Sequence, residues 1–94
     1  MVMPNVFSPR VEWFAEQMKL KLGEPKNVAK GDWRELPDTH YLVSRLMEEK
    51  IELLWGMVNN CSYSDAIKKC ADIGNFAMMI ADWCKNRNDR PELG

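Results

Sequence analysis

The chain has 94 residues, with 13 Lys and Arg against 14 Asp and Glu, a formal net charge of −1 and 46 % hydrophobic residues. That length predicts one domain, and that apolar content excludes a disordered chain. The balanced charge offers no electrostatic pull toward nucleic acid or an anionic membrane. Cys61, Cys70 and Cys84 form an odd set with no C-x-x-C pair, so neither a disulfide framework nor a zinc knuckle is encoded. Met1 to Arg10 carries no apolar stretch of signal-peptide type, and no run approaches the ~18 apolar residues of a membrane span. The expectation is a reduced, cytoplasmic protein. A chain this short buries only roughly 60–65 % of its unfolded surface. Its 7 Met and 4 Trp add apolar area that self-association would cover, so a homodimer is expected.

The first predicted helix spans 9–22. Ser8-Pro9 is a favoured cap followed by Pro at the first helical position, and Val11, Phe14, Ala15, Met18 and Leu22 recur at helical spacing. Gly23 is placed to stop it. The segment 23–37 has no periodicity and is long for a passive connection, which predicts a functional or mobile loop. It carries Lys26, Asn27, Lys30 and Trp33. Donors, cations and a flat aromatic suit a phosphorylated, ring-bearing ligand; alternatively the segment is a solvated linker pinned to the core by Trp33.

The second predicted helix spans 38–58, capped by Asp38. Leu42, Leu46, Leu53 and Met57 form its seam, and Val43, Met47, Leu54 and Val58 widen it. Asn59-Asn60 breaks the pattern. The third helix spans 63–85, with Ser62 and Asp65 resembling a capping box, and the tail from Asn86 is expected to fray. No segment has strand periodicity. The predicted fold is all-α: three helices, the two long ones forming an antiparallel hairpin, assembling as a helical-bundle dimer or tetramer.

Several acids conflict with their surroundings. At 100° per residue, with Leu42 at zero, Leu46, Leu53 and Met57 project at about 40°, 20° and 60°. Glu49 falls near 340°, beside that seam, Glu52 near 280° at its edge and Glu48 near 240°. On the third helix Asp72 lies in a stripe with Phe76, Met79 and Trp83, and Asn75 is adjacent. A carboxylate against apolar side chains needs a compensating cation. Packed together, the two long helices can bring Glu49, Glu52 and Asp72 into one cluster, which suits a hard divalent cation, Mg²⁺ or Mn²⁺, and phosphoryl chemistry. The plainer alternative is pairing of Glu49 and Glu52 with Arg45, Lys50 or Lys69, and of Asp72 with Lys68.

Leu46-Met-Glu-Glu-Lys-Ile-Glu-Leu53, then Cys70-Ala-Asp-Ile-Gly-Asn-Phe-Ala-Met-Met-Ile-Ala-Asp82, with Lys21-Leu22, Asn27 and Lys30-Gly-Asp-Trp33 upstream, resembles the MazG-like all-α nucleotide pyrophosphohydrolases. Their signature is E-x-x-E, a spacer, then E-x-x-D. The resemblance covers about 14–84, and implies Mg²⁺-dependent cleavage of a nucleoside triphosphate to monophosphate and pyrophosphate by a homo-oligomer. Glu49 and Glu52 match the first pair, Asp72 the last ligand and Asn75 the Asn of a D-x-x-N extension. Asn27, Lys30 and Trp33 match a loop near the nucleotide. One position departs: Lys69 stands where the pattern has an acid. It removes a ligand and either replaces one metal's charge or contacts phosphate, while Glu48 is a replacement ligand. Asp65, two turns and about 10 Å from Asp72, is too far to share one Mg²⁺. Two readings follow: the hydrolase, impaired by Lys69, or a catalytically inactive nucleotide-binding or protein-interaction module of the same fold. His40, the sole histidine, has no nucleophile motif beside it. Lys85, Arg87 and Arg90 either reach a triphosphate across a dimer or complement the helix dipole.

Overall fold

Proline and short polar side chains set the helix boundaries. In the computed structural model, which describes residues 6–89, every regular element is helical. Helix α1 is Ser8–Leu22. Pro9 stands in its first turn, where a missing N–H breaks no helical bond. Phe7 occupies the N-cap position with no side-chain cap, so Ser8 is the first helical residue and not the cap its type suggests. At the other end the Gly23 N–H donates to the Lys19 carbonyl at 3.0 Å. Gly23 has φ −77°, so the helix stops without a left-handed turn.

The segment expected as a loop over 23–37 contains two short helical turns. Pro25 starts a single-turn helix, α2 (Pro25–Val28). Gly31, at φ 82°, turns the chain in a region closed to most side chains. A 3-10 turn, η1 (Trp33–Glu35), follows, capped by Asp32, whose carboxylate accepts the Arg34 backbone N–H at 2.9 Å. Helix α3 is His40–Val58. It starts two residues later than expected because Asp38 acts from outside, accepting the His40 N–H at 2.9 Å. Asn60 (φ 57°) turns the chain within the link to α4, Tyr63–Asp89. The Asp65 N–H donates to Ser62 Oγ at 3.0 Å, the Ser62 half of the capping box. Helix α4 outlasts its expected end at Lys85. Lys85 pairs with Asp89 one turn on, and the Arg87 guanidinium lies 4.3 Å above the Trp83 ring while donating to the Leu36 carbonyl at 3.1 Å. Residues 86–89 are therefore helical rather than frayed, and these cations serve the fold. Arg90 lies outside the described residues.

Helix α4 takes α3 on one side and α1 on another. The α1 contact depends on Gly74: a Cβ there would sit 2.9 Å from Phe14 Cε2. One residue on, Asn75 Nδ2 donates to the Met18 carbonyl at 2.9 Å. The fully buried apolar side chains among the described residues are Leu42 and Ala71, and beside them Glu49 and Asn75 are buried too. Of the apolar set on α3, Leu42, Leu46 and Leu53 face inward to differing degrees. Val43, Met47, Ile51, Leu54 and Val58 form an exposed stripe across the helix from Leu42. Among the described residues no helix is long and apolar enough to cross a membrane.

Candidate functional site

Glu49 lies against the interior at 5 % exposure, and the fold supplies two cations for it. Arg45, one turn earlier on α3, donates from Nη2 to Oε1 at 2.8 Å. Lys69 of α4 donates from Nζ to Oε2 at 2.7 Å. The same ammonium bonds Glu52 Oε2 at 3.0 Å. Both oxygens of Glu49 are thus engaged, and one ammonium bridges the E-x-x-E pair. Arg45 also pairs with Glu48 and stacks 5.6 Å above the Phe76 ring. Burial works against the Lys69 ammonium, but its bonds to Glu49 and Glu52 outweigh it and raise the pKa. The same balance, with Glu48 foremost among the partners, raises Arg45. The Lys69 hydrogen bond holds Glu52 below the ordinary carboxylate value.

Asp72 has a partner that spacing did not reveal. Lys21, in the last turn of α1, lies 3.6 Å from Asp72 Oδ1 and 3.0 Å from Glu24 Oε1. Burial again opposes the ammonium, and Glu24 and Asp72 together overcome it, raising Lys21. The sequence pointed instead to Lys68, one turn before Asp72 on the same helix.

Glu49 and Asp72 border a small polar pocket of about 100 Å³, which Asn27, Lys30, Arg45 and Asn75 also line. Asn27 is held there by its Nδ2 bond to the Lys21 carbonyl at 2.7 Å. Asn75 is 4 % exposed and its Oδ1 has no hydrogen-bond partner, an unusual state for a buried amide oxygen. Lys30 makes no ion pair or side-chain hydrogen bond with any described residue. Next to the polar pocket is a larger cavity of about 470 Å³, lined by Val28, Trp33, Leu36, Tyr41, Leu42, Phe76 and Met79. Leu22, Asn27, Lys30, Phe76 and Met79 border both. The larger volume falls in the roughly 300–1,000 Å³ range of small-molecule sites.

Trp33 serves the fold and the cavity together. Its indole N–H donates to Asp82 Oδ2 at 2.9 Å, and Arg34 grips both oxygens of Asp82 at 2.8 and 2.9 Å. Those bonds, Arg34 first and Trp33 second, push Asp82 down to about 2 and fix η1 on α4. Trp33 is thus the anchor that the linker alternative required, and one face of the cavity as well.

The residues expected at the site divide accordingly. Glu49, Asp72, Asn75, Asn27 and Lys30 share the polar pocket, and Trp33 borders the cavity beside it. Lys69 joins Glu49 to Glu52, while Glu48 turns to Arg45 at the surface. A divalent cation does not fit this arrangement. The Glu49 oxygens are both committed to cations, Glu52 shares one of them, and no group of three or more His, Cys, Asp or Glu side chains among the described residues is placed to hold a metal. What the arrangement can do is bind an anion at Lys30 and bury a flat apolar ring next door. Sequence reasoning missed Lys21, Tyr41, Phe76 and Met79 as parts of this site. No protein-family model, curated protein or solved structure matches the chain.

Proposed function

We propose that the chain is a nucleotide-binding helical module whose ligand is a nucleoside triphosphate. One observation carries the reading: an apolar, aromatic-walled cavity and a polar pocket share a wall that includes Lys30, which has no ion-pair partner among the described residues. A nucleotide has that division, a flat base beside a polyanion. The base would lie among Trp33, Tyr41 and Phe76, where aromatic faces favour stacked rings. Phosphate would meet Lys30, with Lys26 at the pocket's edge. Glu49 and Asp72 do not repel it at full strength, since Arg45, Lys69 and Lys21 offset their charges.

Cleavage of the triphosphate to monophosphate and pyrophosphate is the second reading. It is favoured by the presence of Glu49, Asp72 and Asn75 at the phosphate end, the positions that the MazG-like resemblance marks. It needs a divalent cation, and the Glu49 and Glu52 oxygens that would hold one are engaged by Arg45 and Lys69, so binding is the better supported of the two. The α3 stripe supports the further proposal that two copies associate through α3, the hairpin of α3 and α4 being the unit that pairs.

The test is a thermal-shift panel of ribo- and deoxynucleoside triphosphates, with monophosphate and pyrophosphate release followed in parallel with Mg²⁺ or Mn²⁺. At a ligand concentration of about 100 Kd, binding to the folded state adds about 2.7 kcal/mol. The expected result is a raised melting temperature for at least one triphosphate, with affinity reduced about tenfold in Lys30→Ala, as loss of one charged hydrogen bond implies. A panel in which no nucleotide shifts the melting temperature would remove the reading. Product release in the wild type would promote the second reading over the first.

A further inference from the structure

We propose that the Lys69 ammonium takes the place of a divalent cation between Glu49 and Glu52, so that the folded chain balances its carboxylates internally and has little affinity for metal. This inference deepens the nucleotide reading and rests on it for the identity of the site's ligand, while its own chemistry concerns the cation alone.

The geometry is that of a bridging cation. Lys69 Nζ lies 2.7 Å from Glu49 Oε2 and 3.0 Å from Glu52 Oε2, with one carboxylate oxygen from each end of the E-x-x-E element. A metal bridging the pair would need those same two oxygens. The remaining Glu49 oxygen is 2.8 Å from Arg45 Nη2, so no lone oxygen of that buried acid is left to recruit one. Charge makes the same point. Bare, closely set carboxylates repel and draw in a divalent cation. Here Lys69 and Arg45 already hold both oxygens of Glu49 and one of Glu52, although Arg45 is shared with Glu48 and Lys21 divides itself between Glu24 and Asp72. Water is largely excluded from Glu49, so exchanging its two fixed partners for a solvated ion would leave cations uncompensated in a poorly polarisable setting.

A separate observation marks the pocket as a ligand position. Asn75 is 4 % exposed, borders the pocket with Glu49 and Asp72, and leaves Oδ1 without a partner. That amide oxygen is a hard ligand as well as an acceptor. Glu49 borders that pocket too, so a cation gained on loss of the Lys69 charge would be held first by the freed Glu49 and Glu52 oxygens, with the pocket beside them.

The experiment titrates the full chain with Mn²⁺ alone, without nucleotide, and reads the paramagnetic resonance signal of free aquo-Mn²⁺. Wild type is expected to leave Mn²⁺ free into the millimolar range. Lys69→Met and Lys69→Gln are expected to bind it at least tenfold more tightly, and Lys69→Arg to behave as wild type. Circular dichroism confirms that each variant is helical. Micromolar Mn²⁺ binding by the wild type overturns the proposal without recourse to any variant, and so does a Lys69→Arg chain that gains affinity as Lys69→Met does. The outcomes also separate this inference from the preceding one. A chain that binds no nucleotide, yet gains Mn²⁺ on Lys69→Met, keeps this inference and loses the nucleotide reading. A chain that binds both nucleotide and micromolar Mn²⁺ as wild type does the reverse.

Discussion

Asp82 concentrates the forces that close the site's outer wall, because three donors from η1 end on one carboxylate. The Arg34 guanidinium supplies two parallel bonds and Trp33 a third, a fork geometry stronger than a point charge would give. The carboxyl is pushed from 3.8 to about 2. The sign follows from linkage: a carboxylate held below its unfolded value contributes stability that is full above the unfolded pKa. That contribution is lost as pH falls through the folded value, here between about 4 and 2. Asp82→Asn should therefore melt below wild type at pH 7, and the gap should close on acidification from pH 4 to pH 2. Melting temperatures at pH 7, 4, 3 and 2 check this. A gap that persists undiminished at pH 2 would mean that the Asp82 charge contributes nothing to docking of η1. Because Arg34 is about half exposed, the gap at pH 7 should also shrink in high salt.

At the scale of the elements, α1 reaches α4 because Gly74 has no side chain. A Cβ at that position would lie 2.9 Å from Phe14 Cε2 and 3.3 Å from Met18 Sδ. Gly74→Ala sets a gain of about 1 kcal/mol in helix propensity against displacement of a ring edge, and should be nearly neutral. Gly74→Leu has no space to fill and should cost about 2 kcal/mol, the scale of overpacking a close contact. Chemical denaturation of both variants checks the pair of expectations; a Leu variant as stable as wild type would show that α1 is not tightly seated. The long helices were legible in the sequence because apolar spacing and Ser, Asp and Pro act locally. The start of α3 and the end of α4 moved because Asp38 and Arg87 act through single hydrogen bonds outside the periodic pattern. The segment 23–37 hid its order because a single turn is too short to show a period. At the site, the anomaly of Glu49 and Asp72 was visible as carboxylates among apolar neighbours. Their partners were only partly visible: Arg45 and Lys69 were among the candidates for Glu49 and Glu52, whereas the Lys21 that reaches Asp72 from α1 was not.

For the whole molecule, the exposed stripe of Val43, Met47, Ile51, Leu54 and Val58 on α3 is the surface that a second copy would cover, its spacing being that of a helix packing on another helix. The stripe lies across α3 from Glu49, so association there covers apolar surface while leaving the polar pocket open. Wild type should therefore sediment as a dimer, with a melting temperature that rises with protein concentration, since association stabilises by mass action. Leu54→Glu puts a charge in the middle of that stripe and should shift the chain toward monomer, with a lower, concentration-independent melting temperature. Ile51→Lys should do the same, whichever sign of charge is introduced. Sedimentation of wild type as a monomer at every concentration, with Leu54→Glu unchanged in mass and stability, would mean that the stripe is not a self-association surface and that so small a core stands alone.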